Sequence, residues 1–199
     1  MAKREYHEWC NFWWENAPDL SSPRILMIGG SITNQYRGEV QKIMKERSLT
    51  YLVDMTIGSR GSIDPAWTAE LDYMMSAVNG YDYALVHLNN GLHAMHLTPE
   101  EYESGMRRYI EKLCACLPNA KKALVTSTPT RDEKSLETVR KRNEIVFKLS
   151  AEYGMPVDDL FSAVDIASDP WSDGVHFKPE AVMTLAETVS GFIIKQLDS

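Results

Sequence analysis

The stretch from Arg24 to Thr33, Arg-Ile-Leu-Met-Ile-Gly-Gly-Ser-Ile-Thr, constrains this chain more than any other. Ile25 to Ile28 form an unbroken apolar run of strand length, and a run without polar alternation belongs to a strand covered on both faces, as in a parallel sheet. Gly29 and Gly30 then permit a sharp turn and deliver Ser31 to the carboxyl edge of that sheet, where open α/β sheets bind their ligands. A serine there is either a reactive hydroxyl or the N-cap of the helix that follows through Glu39, Val40, Ile43 and Met44. The stretch by itself leaves both readings open.

Along the rest of the chain, strand and helix signals alternate about five times. Tyr6, Trp9, Cys10, Trp13 and Trp14 recur at helical spacing, which predicts an amphipathic aromatic helix at about 4–17, ending before Pro18. Asp19 to Pro23 link it to the central strand. Tyr51–Thr56 reads as a second strand running into the loop Ile57-Gly58-Ser59-Arg60-Gly61-Ser62, and Ala66 to Val78 as a helix stopped by Asn79-Gly80. Tyr83–Leu88 is a third strand that ends in Asn89-Asn90-Gly91. Thr98-Pro99-Glu100-Glu101 carries an N-cap, a first-turn proline and first-turn acids, so a helix should run from there to about Cys116. Lys122–Ser127 follows as a strand, Leu136–Tyr153 as a helix closed by Gly154, Pro156–Phe161 as a short last strand, and Pro179 opens a final helix. The alternation calls for one α/β domain spanning 1–199, a parallel sheet with helices on both faces.

A chain of 199 residues, 44% hydrophobic, has enough material for one sizeable core. The formal net charge of −7, with no long stretch dominated by Lys or Arg, argues against a nucleic-acid or anionic-membrane partner. No apolar run is long enough to span a membrane. Cys10, Cys114 and Cys116 have no metal-ligand spacing and are odd in number, which suits reduced thiols. With Glu5, His7 and Glu8 where a secretory apolar segment would lie, the expectation is a cytoplasmic protein, or a secreted one if a signal segment preceded this sequence. His93 and His96 stand three residues apart, but no carboxylate or cysteine nearby completes a ligand set, so no metal site is expected.

The topology converges the loops holding Ser31, Gly61 and Asn89 on the carboxyl edge of the sheet, and Asp173-Gly174-Val175-His176 lies just before the last helix. Acyl transfer needs a hydroxyl nucleophile, a base for its proton, a carboxylate to orient the base, and donors for the developing oxyanion. These segments supply one of each. They also carry a resemblance to the SGNH hydrolases, or GDSL-type esterases. Ile28-Gly29-Gly30-Ser31-Ile32 resembles the first of that family's four blocks and Gly58-Ser59-Arg60-Gly61 the second. Leu88-Asn89-Asn90-Gly91-Leu92 resembles the third, and Asp173-Gly174-Val175-His176-Phe177 the fourth and most specific.

The resemblance implies a three-layer, flavodoxin-like α/β/α sandwich whose five-stranded parallel sheet has the order 2-1-3-4-5. It implies Ser31 as nucleophile, His176 as general base, Asp173 as the carboxylate behind it, and an oxyanion hole from the Ser31 and Gly61 backbone N–H groups and the Asn89 side-chain amide, with Asn90 as the fallback. No metal or organic cofactor is required. One position departs from the pattern: Gly30 stands where the family has an aspartate that helps to brace the serine loop, and the added backbone freedom is expected to loosen Ser31. Tyr36, Arg37, Asn90, His93 and Trp171 are the candidate substrate-binding residues, an aromatic, hydrogen-bonding mouth suited to an acylated sugar. The expected activity is hydrolysis of small acyl esters, acetyl above all, of a carbohydrate. A small-acyl lipid esterase or thioesterase and a non-catalytic binding protein that keeps the cleft are the alternatives. The partner is then a small-molecule ester, and the residues do not specify an oligomeric state.

Overall fold

Every residue of the strand β2 (Arg24–Gly29) is buried in the computed structural model, which describes residues 9–47, 49–59, 81 and 83–199. Among these residues the other strands are β1 (Cys10–Trp13), β3 (Leu52–Gly58), β4 (Tyr83–Leu88), β5 (Lys121–Val125) and β6 (Val157–Asp158), joined in one sheet of order β1-β3-β2-β4-β5-β6. β3, β2, β4, β5 and β6 are parallel, and they reproduce the expected order 2-1-3-4-5.

Side chains alternate across β2, and each face buries its own cluster. Leu26 and Ile28 pack with Val86 and Leu88 of β4 beneath helices α2 (Pro99–Cys116) and α3 (Glu133–Tyr153), through Tyr102, Met106, Ile110, Val146 and Leu149. Ile25 and Met27 pack with Val53 and Leu85 beneath α1 (Ser31–Glu46) and α4 (Pro179–Asp198), through Val40, Met44, Leu185 and Val189. This is the three-layer sandwich that a β-strand buried on both faces requires. The helix signals hold in detail: Thr98 and Glu101 exchange side-chain-to-backbone bonds in a capping box, and Gly154 closes α3 with φ of 63°. The helix expected over 66–78 lies outside the described residues.

The N-terminal aromatic segment corrects the sequence reading. Where its residues are described it is not a helix: β1 runs antiparallel along the free edge of β3, with Phe12 opposite Thr56 and Trp13 opposite Met55. Within six residues the aromatic spacing satisfies a period of two as well as 3.6. Phe12 and Trp14 lie on one face, their rings 5.9 Å apart, against the core under α2 and α3. Trp13 lies on the other, beneath the Arg37 guanidinium. An unpaired edge of seven-residue β3 decides between the periods, because pairing satisfies a row of backbone N–H and C=O groups that a packed helix would leave to water.

A buried polar knot ties this segment to the amino end of the sheet. Arg24, fully buried, holds Asp54 through Nη1 at 2.8 and 3.0 Å and donates to the carbonyls of Glu15, Asn16 and Asp19, while Tyr83 donates to Asp54 at 2.8 Å. The opposite, carboxyl end of the sheet stays open for the loops.

Candidate active site

Ser31 is not the N-cap of α1; Gly30 is, with φ −119° and ψ −155°, and Ser31 is the first helical residue. Those angles are open to any amino acid, so the backbone conformation of the turn does not itself require glycine at position 30. Both glycines serve space instead. A Cβ on Gly29 would lie 2.0 Å from Thr33 Oγ1, and one on Gly30 would lie 2.8 Å from His93 Nε2. The first turn of α1 contains no acidic side chain and no side chain caps it, so among the described residues nothing anionic on the helix itself offsets the positive end of its dipole.

The Ser31 hydroxyl meets His176 Nε2 at 2.8 Å, and His176 Nδ1 meets Asp173 Oδ2 at 2.8 Å. Asp173 Oδ1 in turn accepts the backbone N–H groups of Val175 at 2.7 Å and His176 at 2.8 Å, a tight local turn that presets the carboxylate against the ring. These bonds, the backbone N–H of His176 foremost, then that of Val175 and then the His176 side chain, lower the Asp173 carboxyl to about 2. Around the turn, Ser172 N–H donates to the His176 carbonyl at 2.8 Å, and Arg131 N–H to the Gly174 carbonyl at 3.0 Å. Gln35 of α1 donates to the Phe177 carbonyl, so the helix that carries the serine also holds the loop that carries the histidine.

Asn89 directly follows β4 and is buried, its side-chain amide strung between two loops. Nδ2 donates to the Thr126 carbonyl at 3.0 Å and Oδ1 accepts from Gly91 N–H. Each contact fixes the amide plane. Only one of the two Nδ2 hydrogens is engaged by Thr126, and Asn89 lines the cleft beside Ser31. Gly61, the other expected oxyanion donor, lies outside the described residues.

The cleft is a cavity of about 250 Å³ whose walls include Ser31, Asn89 and His176 together with Gly30, Ile32, Thr33, Tyr36, Gly91, Leu92, His93, Thr128, Leu160 and Val175. Of the candidate substrate-binding residues, Tyr36 and His93 line it. Tyr36 is buried with its hydroxyl 3.2 Å from Thr33 Oγ1, and burial pushes that hydroxyl's pKa up. The other three do not line it. Arg37 turns to the Val53 carbonyl, at 2.7 Å, and to Glu15, at 2.9 Å. Trp171 is buried against Phe177 and donates from Nε1 to the Pro129 carbonyl. Asn90 is buried outside the lining. Nearness in sequence to a reactive residue did not place these side chains at the mouth.

Sequence reasoning passed over Thr128 and Leu160. Thr128 is 2% exposed and its hydroxyl has no hydrogen-bond partner among the described residues. Its one sequence signal is its place just past β5, on the edge where the other site loops gather. Among the described residues no three His, Cys, Asp or Glu side chains group as metal ligands; His96, three residues beyond His93, is exposed.

No protein-family model matches the sequence, and no curated protein matches it. Solved structures do. The acetyl xylan esterase AlAXEase superposes with a TM-score of 0.69 at 20% identity, covering 85% of this chain and 99% of its own. Est24, a carbohydrate acetylesterase from Sinorhizobium meliloti, gives 0.69 at 15% identity over 87% of this chain and 99% of its own. A GDSL-like lipase from Bacteroides thetaiotaomicron gives 0.66 at 15% identity over 86% and 88%. At these identities the likeness is one of architecture, and by architecture this chain has the fold of the GDSL-type hydrolases.

Proposed function

We propose that this chain is a serine esterase that hydrolyses small acyl esters, acetyl esters of carbohydrates in the first place. The observation that carries the reading is the unbroken relay from Ser31 Oγ through the His176 ring to Asp173, each link 2.8 Å. A hydroxyl, an imidazole and a carboxylate in that order make an activated nucleophile, and the Asp173 contact sets the tautomer that leaves Nε2 able to accept a proton.

In the reaction, Ser31 Oγ bonds to the ester carbonyl carbon while its proton passes to His176 Nε2. The negative charge on the carbonyl oxygen is met by the Ser31 N–H at the start of α1 and the spare N–H of Asn89, with Gly61 N–H added on the strength of the family resemblance. The carbon–alkoxy bond then breaks and the alcohol leaves with the proton from His176. Water, deprotonated by the same nitrogen, repeats the attack and releases the acid and free Ser31. Asp173 stays ionised throughout, as its low pKa demands.

Substrate class rests on two supports. The cleft is modest, its walls setting the Thr128 hydroxyl among the apolar Ile32, Leu92 and Val175. Two of the superposed proteins carry acetyl xylan and carbohydrate acetylesterase names. The test is intact-mass labelling with a small fluorophosphonate, followed by hydrolysis of acetylated xylooligosaccharides against octanoyl esters and acyl thioesters. One adduct on wild type, absent from Ser31→Ala, with acetyl sugars the faster substrates, is the expected result. A folded wild type that takes no adduct would leave a binding protein rather than an esterase.

A further inference from the structure

Gly30 sits against the nucleophile, its angles suit any residue, and the space its missing side chain would fill is already occupied. The occupant is the imidazole of His93: a Cβ on Gly30 would meet Nε2 at 2.8 Å and Cδ2 at 3.1 Å, and a Cβ on Gly91 would meet the same Cδ2 at 3.5 Å. The ring thus lies over two glycines, one of which precedes Ser31.

The loop behind the ring is held hard. The His93 carbonyl accepts from Arg142 Nη1 at 2.7 Å and the Ala94 carbonyl accepts from Nη2 of the same guanidinium. Arg142 projects from α3, is 3% exposed, and sits 4.5 Å over the Tyr102 ring. Burying a guanidinium is costly unless its donors are used, and here two of them are spent on consecutive carbonyls of this loop. Ala94 adopts a φ of 55°, a conformation that a side chain resists and that persists only where neighbours enforce it. The loop is clamped in a strained shape whose effect is to lay His93 on Gly30.

We propose that His93 is the positioning residue of the serine turn: its ring, clamped through Arg142, braces Gly30 and so fixes Ser31, and Gly30 is glycine because His93 needs the room. The brace comes from another loop rather than from a side chain at position 30. The inference rests on the esterase reading for its kinetic consequence and on packing alone for its structural one.

The experiment is a two-by-two comparison of wild type, Gly30→Asp, His93→Ala and Gly30→Asp/His93→Ala, using 4-nitrophenyl acetate hydrolysis and fluorophosphonate labelling of Ser31. Each single change should lower kcat by about ten- to hundredfold with little change in KM, because a misplaced nucleophile weakens only the transition state. The double variant should recover to within about threefold of wild type, since the pair is coupled rather than independent. Losses that multiply in the double variant, or a Gly30→Asp enzyme as fast as wild type, would overturn the proposal. Urea unfolding gives a readout that needs no activity. Gly30→Ala should lower the midpoint when His93 is present and leave it unmoved in the His93→Ala background; equal shifts in both would overturn the brace. A wild type that takes no label but shows this coupling would refute the esterase reading and leave the packed pair standing.

Discussion

Truncating Asn89 separates a catalytic donor from a structural strut. In the structure Oδ1 takes Gly91 N–H and one Nδ2 hydrogen goes to Thr126 O; the second Nδ2 hydrogen is the donor we propose for the oxyanion. Removing one preorganised oxyanion donor lowers kcat by about a hundred- to a thousandfold, or roughly 3–4 kcal/mol of transition-state stabilisation. Asn89→Ala also strips partners from two backbone groups beside a 6% exposed side chain, at about 1 kcal/mol or more for each group left dry. The two costs appear in different measurements. Stopped assays on an acetyl ester should show kcat down by at least about a hundredfold with KM within about threefold, while a urea melt should show a stability loss of about 2 kcal/mol. Asn89→Asp keeps the Oδ1 acceptor for Gly91 but replaces the donor with an anionic oxygen, so it should recover no activity at all. A folded Asn89→Ala enzyme whose kcat stays within about threefold of wild type would refute the assignment and reduce Asn89 to a strut between β4 and the loop after β5.

Asp173 should titrate near 2 in a carboxyl-carbon NMR experiment, and because backbone N–H groups are the leading cause, His176→Ala should leave it below its ordinary value of 3.8. The sign follows: with the folded value depressed, whatever stability the carboxylate lends is present above about 4 and lost as pH falls towards 2, so a midpoint at or above 3.8 would contradict the turn geometry. Gly29→Ala forces a Cβ to 2.0 Å from Thr33 Oγ1 and should destabilise by about 1–3 kcal/mol in a denaturant melt, with a matching fall in labelling of Ser31. Thr128→Val replaces a buried hydroxyl, unpartnered among the described residues, with a methyl of similar shape and should raise stability by about 1 kcal/mol in the same melt; a loss would mean that the hydroxyl has a partner in solution.

What could be read from the sequence is what depends on neighbours along the chain. Ile25–Ile28 announced a doubly buried strand without knowledge of its partners, and Thr98, Pro99 and Glu101 announced a helix start because a capping box is closed within one turn. Asp173 and His176 belong to the same class, since the hydrogen bonds that set them run between residues three apart or nearer. What could not be read depends on chain segments far apart. Arg24 stands at the head of a strand where a charged residue ordinarily meets water, and its full burial is made tolerable by Asp54, 30 residues on, together with the carbonyls of Glu15, Asn16 and Asp19. β1 is the same problem in backbone form, because its conformation is chosen by the open edge of β3 rather than by Trp9, Trp13 and Trp14 themselves.

Gly30 shows how the two kinds of information combine. By local rules a glycine beside a nucleophile signals backbone freedom, and freedom there predicts a poorly placed serine. The structure sets a contact against that inference, because the ring that fills the vacant volume comes from a loop 63 residues away whose carbonyls are held by an arginine 49 residues further on. A missing side chain at a reactive turn is therefore ambiguous until its volume has been accounted for. If the volume is empty, the turn is loose and the site is compromised; if it is filled by a clamped group, the turn is as constrained as any side chain at that position could make it. For this chain the volume is filled, so the departure at position 30 is not by itself an argument against the esterase we propose.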